Sequence, residues 1–122
     1  MATTPIKLFI SGPMTGLPNY NFDRFNEVEA EIRGGNPRIE IVNPVTICRR
    51  FKKELVLSDK RVFDAMIAEQ QKEERTCNAI LLLDGWQKSK GVRLELKTAI
   101  ECGMDILLEG DIQIIPSSNS TY

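Results

Sequence analysis

Two carboxylates stand where chemistry could be done. Glu95 belongs to a run, Val92 to Cys102, in which Val92, Leu96, Ala99 and Ile100 recur at helical spacing. At about 100° per residue, Glu95 falls between Ala99 and Cys102, at the edge of that apolar stripe and away from the polar face of Lys97 and Glu101. In the first turn of a helix the positive end of the dipole favours an ionised carboxylate, so Glu95 is a candidate nucleophile. The plain structural alternative is a helix-end glutamate that helps cap the backbone. Asp84 follows the apolar run Ala79-Ile80-Leu81-Leu82-Leu83, where a phosphoacceptor aspartate would sit. That chemistry also needs an acidic pair after the first strand, and the chain has Ile10 and Ser11 there. Asp84 remains as an acid or as a cap of the strand-end loop.

What is missing narrows the choice. The chain contains no histidine, which excludes Ser-His-Asp and Cys-His arrangements and His-containing zinc sites. The segment Gly12-Pro13-Met14-Thr15-Gly16 is glycine-rich but matches neither the dinucleotide fingerprint nor the P-loop. Cys48, Cys77 and Cys102 are odd in number and widely spaced, so they read as reduced, part-buried thiols and not as a disulfide framework or a metal site. Neither metal nor organic cofactor is expected.

The elements that must position these residues alternate. Lys7-Leu8-Phe9-Ile10 reads as a buried strand ended by Ser11-Gly12-Pro13. Asn21 is a plausible N-cap for a helix with Phe22, Phe25, Val28 and Ile32 inward, stopping at Gly34-Gly35. Ile39 to Val42 is a second strand, closed by Asn43-Pro44; residues 45 to 57 are ambiguous, with an amphipathic stretch around Phe51 and Leu55. A helix from Ser58 would face Val62, Phe63, Met66 and Ile67 inward and end on a polar segment, Gln70 to Glu74. The run 79 to 83 suits a central strand covered on both faces. Gly91 opens the helix carrying Glu95, Gly103 caps its end, Ile106-Leu107-Leu108 is a fourth strand, and Ile112 to Ile115 a short fifth.

This alternation predicts an α/β fold: one domain over residues 1–116, a Rossmann-like or flavodoxin-like open parallel sheet in the order 2-1-3-4-5 with helices on both faces, and a polar tail at 117–122. Ligands of such sheets bind beyond the carboxyl ends of the strands where the winding reverses. That crevice would be lined by Ser11 to Asn21, by Asp84 to Gly91 and by the start of the following helix.

The whole-chain figures agree with a small-molecule site. The 122 residues are 42% hydrophobic and 27% charged, enough for a single core, and 16 basic against 17 acidic groups leave a net charge of −1. A nucleic-acid polymer is not the expected partner, because that would call for a basic excess. No stretch approaches the roughly 20 apolar residues of a membrane span, and the expected location is the cytoplasm.

Three segments carry a resemblance: Leu8-Phe9-Ile10-Ser11-Gly12-Pro13-Met14-Thr15-Gly16-Leu17-Pro18-Asn19-Tyr20-Asn21-Phe22, Val42-Asn43-Pro44, and Ser89-Lys90-Gly91-Val92-Arg93-Leu94-Glu95-Leu96. Spanning about residues 6 to 108, they resemble the nucleoside 2-deoxyribosyltransferase-like superfamily, and most its small phage and bacterial members, which are related to deoxynucleoside 5′-monophosphate N-hydrolases.

The resemblance implies that Glu95 attacks the anomeric carbon of a deoxyribosyl unit and that water or a second base resolves the glycosyl-enzyme. Asp84 is the local candidate to protonate the departing base. Ser89 and Gly91 match positions that hold a 5′-phosphate, with Arg93 as a further candidate, and Tyr20 or Trp86 could stack on a base. Ser11, Gly12, Pro13, Met14, Asn43 and Asn78 complete the expected substrate site. Where related enzymes carry an aspartate and a first-strand tyrosine, this chain has Asn78 and Phe9. A nucleotide-binding sensor or sponge with little catalysis is the competing class, and a purely structural or interaction protein on the same fold a third. Relatives of this size complete their sites with a neighbouring subunit, so a homodimer or higher homo-oligomer is expected, with Leu94 and Trp86 as contact candidates.

Overall fold

The computed structural model describes residues 5–51, 56 and 58–110. Four parallel strands, β1 (Lys7–Ser11), β2 (Glu40–Val42), β3 (Ala79–Leu82) and β4 (Asp105–Leu108), form one sheet in the order β2-β1-β3-β4. The expected fifth strand at 112–115, the segment around Leu55 and the tail at 117–122 lie outside the described residues.

The chain winds outward from β1 and β3 in both directions, and the connecting helices lie on opposite faces. On one face α1 (Phe22–Gly35) buries Phe25, Val28 and Ile32 against Leu8, Ile10, Ala79 and Leu81. On the other, α4 (Lys90–Glu101) buries Val92 and Ala99 against Phe9, Ile80 and Leu82. The period-2 alternation of β1 sets this division, with Leu8 and Ile10 toward α1 and Phe9 and Ser11 toward α4. The second connection holds the short helix α2 (Pro44–Cys48) and α3 (Lys60–Glu74), and α3 packs against both α2 and α4.

Several boundaries differ from the sequence expectation for local reasons. Asn21 does not cap α1: its backbone is left-handed, with φ 63°, and its side chain donates to the Pro13 carbonyl at 3.0 Å. The helix expected from Ser58 starts at Lys60, and Asp59 caps it, accepting from the Arg61 N–H at 2.9 Å. The buried stripe of α3 is Met66, Gln70 and Glu74, so Phe63 is exposed and the supposed polar end turns inward. Ile100 is likewise exposed, and Thr98 takes the buried place beside Ala99. Gly103, with φ 71°, closes α4 as expected, and its N–H donates to the Ile100 carbonyl at 3.1 Å.

Among the described residues, no helix is long and apolar enough to cross a membrane. All three cysteines are free thiols, Cys77 buried, Cys48 half-buried and Cys102 exposed.

Candidate active site

Ser11 is the last residue of β1 and the next residue after Phe9 on the α4 side of the sheet. It is fully buried, and its hydroxyl donates to Glu95 Oε1 at 2.5 Å. The bond joins the end of β1 to the second turn of α4. That placement corrects the expectation for Glu95. Since α4 begins at Lys90, Glu95 lies beyond the first-turn N–H groups that would hold it ionised. Burial dominates instead and pushes its carboxyl up to about 7, while the Ser11 hydroxyl pulls in the opposite direction. Burial and the Ser11 hydroxyl therefore act on Glu95 in opposite directions, and the helix dipole is not what sets its charge.

Beyond the ends of β1 and β3 lies a cavity of about 590 Å³. Its walls come from the loop after β1 (Pro13, Met14, Thr15, Leu17), from the loop after β3 (Asp84, Gly85, Lys88) and from the start of α4 (Ser89, Lys90, Gly91). Gly12 allows the first loop to turn away closely, because a Cβ there would come within 2.9 Å of the Leu83 side chain. Gly85 turns the second with φ 87°. Ser89 caps α4, its Oγ accepting from the Val92 N–H at 3.2 Å. A helix start flanked by Lys88 and Lys90 is suited to an anion. Ser11 and Glu95 are not in this wall; they lie beside it, two residues before Pro13 and further along α4.

The second loop is braced from below. Glu109, directly after β4, accepts from the Asp84 N–H at 2.9 Å and from Arg24 of α1 through its other oxygen. Arg24 is further ion-paired with Glu27 and Glu31.

The structure thus brings together Ser11, Gly12, Pro13, Met14, Asp84, Ser89, Gly91 and Glu95. Other expected site residues lie elsewhere. Asn78 sits before β3, at the amino end of the sheet, where it accepts from the Lys7 N–H at 2.9 Å and donates to the Pro5 carbonyl at 2.8 Å. Asn43 is buried and caps α2, accepting from the Val45 N–H at 3.0 Å and donating to Asn26 and Glu29. Trp86 packs on the core cluster beneath α4, so it anchors its loop and is not in the cavity wall. Tyr20 is half-buried, its ring 6.1 Å from that of Phe22, and is also outside that wall. Arg93 donates to the Gln87 carbonyl at 2.9 Å instead of lining the cavity. Lys88, Lys90 and Glu109 were not singled out by the sequence reading. The lysines flank a recognisable cap serine and could have been found, whereas Glu109 acts through a contact across the sheet that no spacing rule shows.

Among the described residues, no group of three or more His, Cys, Asp or Glu side chains is placed to hold a metal ion. No curated protein matches the chain. One family model matches residues 6–108, which takes in all four strands and every wall of the cavity, and the chain belongs to that family, described as Domain of unknown function (DUF4406).

Proposed function

We propose that this protein cleaves the N-glycosidic bond of a deoxynucleoside or its 5′-monophosphate, as a hydrolase or a 2-deoxyribosyltransferase of the nucleoside 2-deoxyribosyltransferase-like type. The observation that carries this reading is the Ser11–Glu95 hydrogen bond at 2.5 Å beside a cavity whose wall holds Lys88, Ser89, Lys90 and the Gly91 amide. A carboxylate and an anion-binding helix start, set along one helix, fit a substrate with an electrophilic carbon at one end and a phosphate at the other.

In the first step a Glu95 oxygen bonds to C1′ of the sugar as the C1′–N bond breaks. The bonding pair leaves with the base, which takes a proton from Asp84 in the cavity wall. In the second, water deprotonated by Asp84, or the nitrogen of another base, attacks C1′ and releases the Glu95 carboxylate. Ser11 holds the carboxyl oxygen in place and favours its ionised state. The same reading carries a homo-oligomer, with Leu94, exposed on α4, in the contact; a monomeric mass by light scattering would count against that part.

Incubation of the protein with each deoxynucleoside and each 5′-monophosphate, with and without a second free base, tests the reaction. Release or exchange of a base is expected, with the monophosphates preferred. Binding without any release would move the reading to a nucleotide-binding protein.

A further inference from the structure

Glu74, the last residue of α3, is fully buried, and neither of its carboxyl oxygens has a hydrogen-bond partner. A carboxylate in that position would forgo water, lack any donor and face the negative end of its own helix. Each of these disfavours the charge, and together they keep the group a neutral acid.

Its surroundings connect it to the candidate site. Gln70, one turn earlier and also buried, donates to Cys48 Sγ of α2 at 3.4 Å. Thr98, buried on α4, follows Glu95 by three residues, and α3 packs against α4. Cys48, Gln70, Glu74, Thr98 and Glu95 therefore belong to the contacting helices α2, α3 and α4. Burial is the largest influence raising the Glu74 carboxyl, the Glu95 charge adds to it, and Arg75 acts the other way. Burial chiefly raises the Cys48 thiol, against the Gln70 hydrogen bond and with a smaller push from Glu95; burial likewise raises Cys77, against Lys7, with Glu74 and Glu40 adding to it. Two carboxyl groups thus lie on the packed helices α3 and α4, and only one of them has a donor, the Ser11 hydroxyl.

We propose that Glu74 is a positioning residue for Glu95: the two carboxyls share one negative charge at neutral pH, Glu74 keeps the proton, and the charge resides on the Glu95 carboxylate beside the cavity. The catalytic sense of this pairing rests on the reading of Glu95 as the nucleophile, because an attacking carboxylate must be the ionised member of the pair. The pairing itself does not depend on that reading.

The experiment follows the side-chain carboxyl carbons of 13C-glutamate-labelled full-length protein by NMR as pH is raised, in wild type, Glu95→Gln and Glu74→Gln. In wild type the Glu74 signal should titrate above neutrality. In Glu95→Gln its midpoint should fall by on the order of one pH unit, the amount by which a nearby like charge commonly couples two sites. In Glu74→Gln the Glu95 curve should become a single simple step, which keeps the test alive if the first variant does not fold. A Glu74 midpoint in the ordinary carboxylate range, or one unmoved by loss of the Glu95 charge, overturns the proposal. Because no substrate is involved, this result is independent of whether the protein cleaves a glycosidic bond.

Discussion

The Ser11 hydroxyl donates to Glu95 Oε1 at 2.5 Å, joining the carboxyl end of β1 to the second turn of α4. This bond opposes the effect of burial on the Glu95 carboxyl. Ser11→Ala removes a donor to the ionised form, so Glu95 should hold its proton to a higher pH. In the proposed reaction the kcat/KM of wild type should rise as pH passes through about 7. The Ser11→Ala limb should be displaced upward, with a stability loss of about 1 kcal/mol. A pH–rate profile of the two proteins checks this; coincident acid limbs would show that Ser11 does not tune Glu95.

Stability should fall with rising pH across the neutral range. Burial raises Glu95 to about 7 and Glu74 to about 8 from an ordinary 4.5. Between the unfolded and folded values the native state holds more protons than the unfolded chain, so the stabilisation is complete below about 4.5 and is lost as pH climbs through about 8. Glu74→Gln should flatten the upper part of this decline and leave the variant more stable than wild type above it, by on the order of a few kcal/mol. Denaturant melts at a series of pH values measure the slope; a wild-type stability that rises from pH 5 to pH 8 would contradict the sign.

Ser89→Ala should cost about 1 kcal/mol through loss of the α4 cap. It should also weaken binding of a deoxynucleoside 5′-monophosphate more than that of the unphosphorylated nucleoside, and Lys88→Ala and Lys90→Ala should do so without the loss of stability. Calorimetric titration of both ligands separates the effects. Equal losses for the two would show that this corner does not read a phosphate.

Glu109→Ala should free the Asp84–Gly85 wall, since it removes the acceptor for the Asp84 N–H and the partner of Arg24. A cost of about 1 kcal/mol is expected, because the Asp84 N–H can turn to water and Arg24 keeps Glu27 and Glu31. Glu109→Gln, which keeps an acceptor for the N–H, should recover ligand affinity more fully than stability. Parallel loss of both in the two variants would reduce Glu109 to a purely structural role.

The elements were legible wherever local pattern and burial agree. Phe25, Val28 and Ile32 mark the inner face of α1, and the apolar run 79 to 83 marks the central strand, because a strand covered on both faces has no polar alternation. Glu95 was visible from its place at the rim of an apolar stripe. Dipole reasoning sees the helix alone, whereas burial is the larger influence on the Glu95 carboxyl. Glu74 was passed over as part of a polar helix end, although it continues the Met66–Gln70 stripe at intervals of four residues. Asn78 shows the opposite failure: the ends of a strand cannot be assigned to substrate until its direction in the sheet is known, and here Asn78 lies at the end away from the crevice. The Glu109 brace was out of reach, since its partners, Asp84 and Arg24, meet it only after the sheet forms.

The central claim is that Glu95 bonds covalently to the sugar, and intact-protein mass spectrometry during turnover of a deoxynucleoside 5′-monophosphate tests it most directly. Wild type should release the free base and show a transient mass increase of one deoxyribosyl phosphate unit, located by peptide mapping on Glu95. Glu95→Gln, which preserves size and removes the charge, should fold, show no adduct and lose base release by a factor of at least about 1,000. Base release retained by Glu95→Gln at most of the wild-type rate, or an adduct on another residue, would contradict the account.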